Sequence, residues 1–167
     1  MIVCSEKWDC SVFRSNLESR KRCYRSQPVG RAPKASSNRV RKSMRSNRSS
    51  GTTPEVLLSK LLRKKLISPR LPGRPDFTYP GARLVVFVHG CWWHRCPTCN
   101  IPLPETHRSY WRRKLERNVE RDRFNKEELE SLGWTSLEVW EHEVRHTPKL
   151  AVSKIRRVIL SCNLAPR

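Results

Sequence analysis

Residues 71–99 read LPGRPDFTYPGARLVVFVHGCWWHRCPTC, and the fold turns on how this stretch divides. Leu71-Pro72-Gly73-Arg74-Pro75 is turn chemistry, proline fixing φ and glycine freeing it, and it delivers Asp76 to a short run, Phe77-Thr78-Tyr79. Pro80-Gly81 then reverses the chain. Leu84 to Val88 is apolar without a break and mostly β-branched, which suits a strand covered on both faces. The expected result is a hairpin that brings Asp76 and His89 together at the end of a buried strand.

A carboxylate in that place can hold Mg²⁺ through oxygen while leaving most of the coordination shell to water and a substrate phosphate. His89 and His94 offer imidazoles that titrate near neutral pH, suited to moving protons to a nucleophile or a leaving oxygen. The cysteines carry different chemistry. Cys91, Cys96 and Cys99 are spaced C-x4-C-x2-C, and thiolates this close suit tetrahedral Zn²⁺. A fourth ligand could be His94 within the knuckle, or His142 or His146 downstream. His142 is preferred because it follows an apolar strand that could lie beside Leu84–Val88. Four protein ligands would make the zinc structural, not catalytic.

The segments LPGRPDF, FVHGCWWH, RNVERDR and LGWTSLEVWE resemble those of the very short patch repair endonucleases, which nick DNA beside T:G mismatches left by deaminated 5-methylcytosine. The resemblance runs from about Arg39 to Cys162. It implies that Asp76 holds Mg²⁺ with help from the backbone carbonyl of Val88, and that His89 and His94 serve the scissile phosphate. It also implies that Glu55, on the first helix, supports the water network. The aromatics matching Trp92, Trp93 and Trp111 wedge into the base stack in this family, a known way to unstack and kink a duplex. The basic segment 39–48, with Arg41, Lys42 and Arg45, matches one that contacts DNA. The family has cysteine where His142 stands, an exchange that zinc tolerates.

The implied fold is α/β, a restriction-endonuclease-like single domain with a mixed sheet of three or four strands flanked by helices and a structural zinc site. That superfamily's usual second acid and lysine are absent, and Phe87 and His89 stand near their places. A mismatch-repair partner of the MutL type is implied as well. One site on one short domain fits a monomer cutting one strand.

The 167 residues carry a net charge of +20, which favours a polyanion partner through counterion release. No apolar run approaches the roughly 20 residues of a membrane span. Seven cysteines could suit a secreted disulfide scaffold, but Met1–Cys10 has the charges of Glu6, Lys7 and Asp9 and no apolar signal core. Metal-type clustering points instead to a reducing compartment, the bacterial-type cytoplasm with its nucleoid.

The domain reading is a disordered basic extension over 1–38, an endonuclease-like domain over 39–162 and a tail over 163–167. Between Glu18 and Glu55 there is no acid, only arginine and lysine among Ser, Asn and Pro, a composition that cannot bury enough apolar surface to order itself. The extension reads equally as a solvated tail, a misassigned start or a DNA-contacting arm. Cys4, Cys10 and Cys23 read as free thiols.

Thr53-Pro54-Glu55 starts a helix, with a hydroxyl cap, proline in the first turn and an acid favoured by the helix dipole, which gives Glu55 a purely structural explanation too. Leu57, Leu58, Leu61, Leu62 and Leu66 should lay one face on the sheet. Ile67–Arg70 is short for the family, which puts the reach from Glu55 to Asp76 at issue. Thr106 or Ser109 should cap a long helix through about Leu132, closed by Gly133, with Arg112, Arg113, Lys114, Arg117, Arg121 and Arg123 suited to phosphates. Trp134–Trp140 is rich in strand formers, and Thr147-Pro148 should cap a last helix with Val152, Ile155, Val158 and Ile159 inward. Cys162 reads as a buried or free thiol. Two rivals remain open: a non-catalytic, zinc-stapled DNA-binding protein, and a nicking or restriction nuclease of the same fold with another target.

Overall fold

Valine and its apolar neighbours make Leu84–His89 the central strand of the domain, flanked on both edges. The computed structural model describes residues 30–35, 37–48, 50–63 and 71–164, and these elements build the unit Arg31–Arg167. Strand β1 (Phe77–Tyr79) runs antiparallel to β2 (Leu84–His89), pairing Phe77 with Val86 and Tyr79 with Leu84. A 3₁₀ turn over Pro80–Ala82 joins them, and Arg83 closes it at φ +44°, its amide donating to the Pro80 carbonyl at 3.0 Å. Strand β3 (Thr135–Trp140) lies parallel on the other side of β2, so the sheet is mixed with order β1-β2-β3. A parallel neighbour requires a long crossover, and the chain supplies it as the 24-residue helix Arg108–Ser131.

Six helices or helical turns complete the described chain. In order they are α1 (Asn38–Ser46), α2 (Thr53–Leu62), the 3₁₀ turn, α3 (Arg108–Ser131), α4 (Glu141–His146) and α5 (Pro148–Leu164). The period of two sends Phe77, Leu84, Val86 and Val139 to one face of the sheet, where they meet Leu58 of α2, Val144 of α4 and Ala151, Val152 and Ile155 of α5. The other face carries Val85, Phe87 and His89. Helix α3 packs against β3 and covers that face, with Phe124 and Leu129 buried along it. The strand expected to be covered on both sides is so covered: Leu84, Val85 and Val86 are all fully buried.

Several local expectations change. Leu61 is exposed near the end of α2, which stops at Leu62 with Arg63 left-handed at φ +50°, and Leu66 lies outside the described residues. The shortened Ile67–Arg70 segment and the 1–29 part of the extension also lie outside the described residues. The basic stretch expected without order does carry helix α1, started by Ser37, whose hydroxyl accepts from the Val40 amide at 3.2 Å. Local capping explains it, since α1 buries no residue. Neither Thr106 nor Ser109 caps α3; His107 precedes it at φ +55° without a side-chain cap. Gly133, at φ +75°, does stop it. Thr147 does not cap α5 with its hydroxyl, which donates back to the Glu143 carbonyl. Among the described residues no helix is long and apolar enough to cross a membrane.

Candidate active site and metal centre

The hairpin register decides where Asp76 goes. Its amide donates to the Val86 carbonyl at 3.0 Å, extending the β1–β2 ladder by one step, and its Oδ2 accepts from the Val88 amide at 2.7 Å. The carboxylate is therefore fixed beside the C-terminal end of β2. Burial pushes its pKa up from 3.8 to about 6, the Val88 amide pulls it down, and the charge of Glu55 pushes it up further. Glu55 does reach Asp76 electrostatically, then, despite the short segment before Leu71.

Glu55 is itself buried at 5 % exposure and serves its own helix. Its Oε2 accepts from the Gly51 amide at 2.6 Å and the Thr52 amide at 3.3 Å, and its Oε1 accepts from the Thr52 hydroxyl at 2.7 Å. The N-terminus of α2 is thus capped from inside the helix, with Thr52 and not Thr53 at the cap position.

His89 ends β2 and is buried, and its ring meets that of His94 edge-on with centroids 4.0 Å apart. Burial, then the neighbouring His94 charge, lowers the His89 pKa to about 3, against the opposing pull of Asp122. His94 Nδ1 lies 2.5 Å from Asp122 Oδ2, and His89 Nδ1 lies 3.9 Å from the same oxygen. Burial alone would raise Asp122, but the hydrogen bond from His94 and the charges of both histidines and Arg121 hold it below the ordinary carboxylate value. Asp122 is the residue that sequence reasoning missed. A signal was present: Leu115, Asn118, Asp122, Asn125 and Leu129 form one stripe along α3, and an acid on an otherwise inward stripe asks for a partner. Asn118 on that stripe donates to the Trp93 carbonyl at 3.1 Å, tying the knuckle to the helix.

The knuckle brings together the expected cysteines and the preferred histidine. His142 Nδ1 lies 3.3 Å from Cys91 Sγ, 3.6 Å from Cys96 Sγ and 3.3 Å from Cys99 Sγ. Tetrahedral zinc with Zn–S near 2.3 Å and Zn–N near 2.0 Å puts sulfur and nitrogen about 3.5 Å apart. The four groups match that edge length, so they could hold zinc. Crowding has a cost in protonation. Burial, and then the adjacent Cys99 and Cys96, push the Cys91 thiol up to about 12, a penalty that a cation would reverse. The Cys91 amide also approaches Glu141 Oε2 at 3.4 Å.

Trp92, Trp93 and Trp111 form an edge-to-face cluster with centroids 4.6, 5.2 and 6.3 Å apart, and Tyr110 meets Trp111 edge-on at 5.1 Å. All three indoles are half-buried, so part of each ring faces outward. Arg41, Lys42 and Arg45 are side chains of α1, where Arg41 donates to Asn38 at 3.3 Å.

A half-buried carboxylate, a histidine pair steered by a second carboxylate and a basic, tryptophan-bearing surface together describe a phosphodiester-cutting hydrolase on an α/β scaffold. Comparison with known proteins agrees. Residues 34–100 match the family described as DNA mismatch endonuclease Vsr. The chain is 40 % identical over 114 residues to the DNA mismatch endonuclease Vsr of Escherichia coli (strain K12), covering 65 % of this chain and 73 % of that protein. It is also 40 % identical over 112 residues to the type II nicking enzyme V.NaeI of Lentzea aerocolonigenes, covering 61 % and 67 %. Against the type II nicking enzyme V.XorIIP of Xanthomonas oryzae pv. oryzae it is 40 % identical over 115 residues, covering 65 % and 84 %. The protein is a DNA endonuclease. It belongs to the Vsr DNA mismatch endonuclease family.

Proposed function

We propose that the protein nicks one strand of duplex DNA beside a T:G mismatch, in a reaction that depends on Mg²⁺ and starts with water attack on phosphorus. The observation that carries this reading is Asp76, a half-buried carboxylate fixed by the Val88 amide and close enough to His94 to feel its charge. Desolvation first, and the charge of Glu55 after it, disfavour the ionised form of Asp76, and a cation bound there would relieve both. Asp76 would hold the metal with the Val88 carbonyl, and the ion would polarise the phosphoryl group and acidify water.

The chain's own groups divide the rest. Asp122, held in its ionised form, pairs with His94 Nδ1 and so turns Nε2 of that ring towards the reacting groups. His94 therefore takes a proton from the nucleophile or returns one to the leaving oxygen. His89, held neutral at neutral pH by burial, acts through an N–H on the phosphate and not as a cation. Glu55 orders water beside Asp76 while capping α2. Cys91, Cys96, Cys99 and His142 bind structural zinc, and Trp92, Trp93 and Trp111 wedge the mismatched step, which costs less to unstack than a paired one. Arg41, Lys42 and Arg45 contact DNA from α1.

The active unit is 39–162, with a restriction-endonuclease-like fold, working as a monomer with a MutL-type mismatch-repair partner. A different target is favoured by one observation, the naming of two 40 % identical relatives as type II nicking enzymes. A panel of end-labelled duplexes carrying T:G, matched C:G and the other mismatches separates the two. Cutting confined to T:G supports repair. Equal cutting of matched duplex at a fixed sequence replaces it with the nicking reading.

A further inference from the structure

Between the cysteine knuckle, which contributes Arg95, and the start of α3, a cavity of about 300 Å³ is lined by Arg95, Leu103, Arg108, Arg112, Leu115 and Glu116. Three arginines line it against a single glutamate, and the arginines come from two separate elements. Arg95 leaves the knuckle in the left-handed region, at φ +54°, and its Nη1 donates to the Ile101 carbonyl at 2.9 Å, which holds the side chain against the loop that walls the cavity. Arg108 and Arg112 stand one turn apart on the same face of α3. Arg108 is also the first residue of that helix, whose start has no side-chain cap, so the positive helix end adds to the field at the same place.

We propose that this cavity is a DNA-backbone subsite in which Arg95, Arg108 and Arg112 grip a phosphate next to the base step that the tryptophans open. The proposal rests on the reading of Trp92, Trp93 and Trp111 as a wedge. Guanidinium forks match the paired oxygens of a phosphodiester better than any other side chain. The apolar floor of Leu103 and Leu115 suits the attached sugar. The volume stands at the bottom of the range for ligand pockets, about 300–1,000 Å³, and so admits a sugar-phosphate unit more readily than a large cofactor. Placement agrees with chemistry: Trp111 lies between Arg108 and Arg112 on α3, and Arg95 directly follows His94. A step that is unstacked must have its flanking backbone held, and in sequence Arg95 adjoins His94 while Arg108 and Arg112 flank Trp111.

The test uses the full chain and fluorescently labelled duplexes containing one T:G pair or its matched C:G counterpart. Backbone phosphates around the pair are replaced one at a time by neutral methylphosphonate. Binding is then titrated for wild type, for the double variant Arg108→Gln with Arg112→Gln, and for Arg157→Gln, an exposed arginine on α5, as a control. At one or two positions the replacement should weaken wild type on the order of 10-fold and leave the double variant unmoved. The loss of affinity between about 50 and about 200 mM salt should shrink in the double variant by about 3-fold per phosphate contact removed, with the control following wild type. A double variant that responds to every replacement as wild type does, with the same salt dependence, overturns the subsite. The mismatch reading fails separately: it is lost if the same phosphate pattern appears without any preference for T:G over C:G.

Discussion

At neutral pH the ionised form of Asp76 costs the free protein stability. Its folded pKa of about 6 lies above the ordinary 3.8, so the stability it contributes is fully present below about pH 3.8 and is lost as pH rises through about 6. Asp76→Asn keeps an oxygen for the Val88 amide and should raise stability at pH 8 by up to about 3 kcal/mol while abolishing cleavage. Urea unfolding of both proteins at pH 8 and pH 4 checks this: the gain should vanish at pH 4, and an equal gain at both would assign it to something other than ionisation. Conversely, Mg²⁺ affinity of the wild type should fall as pH drops through about 6, because the proton and the cation compete for one carboxylate. Glu55→Gln should move that acid limb to lower pH by removing the charge that raises Asp76. If Glu55→Gln leaves the limb in place, the acid serves only as a helix cap. The Asp76–Val88 bond also shows what the sequence could and could not reveal. The hairpin put Asp76 near the end of β2, but the partner of its carboxylate is a backbone amide, which carries no sequence signature. Asp122 was harder still, since its role depends on which face of α3 meets β2, and the many arginines around it drew the reading towards phosphate contacts.

The elements were legible where periodicity and turn chemistry agreed. Leu84–Val88 announced a doubly covered strand, and Pro80-Gly81 its hairpin. The knuckle cluster was legible from the cysteine spacing, with His142 preferred to His94 and His146 for the strand before it; the structure brings His142 to the three thiols, where the four could hold a metal, and gives His94 to Asp122 instead. Ends were less legible. His107 and Arg63 take left-handed backbone conformations that their residue types do not advertise, and Leu61 is exposed near the end of α2. The cysteine–histidine cluster joins the loop after β2 to α4, the element that follows β3, so zinc there would tie the ends of two parallel strands together. Removing it with a chelator, or with His142→Ala, should cost several kcal/mol, on the order of 10 °C or more in Tm. His142→Cys should retain one equivalent of zinc and most of the stability. Calorimetry with a metal assay reads both, and an unchanged Tm in zinc-free protein would rule out a structural ion.

For the molecule as a whole, the surplus positive charge and the three indoles clustered beside the histidine pair agree on a polyanion whose bases can be unstacked. Charge alone named only the polymer class; under the proposed reading the aromatic cluster and Asp76 narrow it to a duplex that is opened and cut. The most direct experiment is therefore a nicking assay on end-labelled duplexes with a central T:G or C:G pair, with and without Mg²⁺, comparing wild type with Asp76→Ala. A single Mg²⁺-dependent nick in one strand of the T:G duplex, absent from the C:G duplex and from the variant at undiminished DNA affinity, is the expected result. Cleavage retained by Asp76→Ala, or equal cleavage of both duplexes, would contradict it.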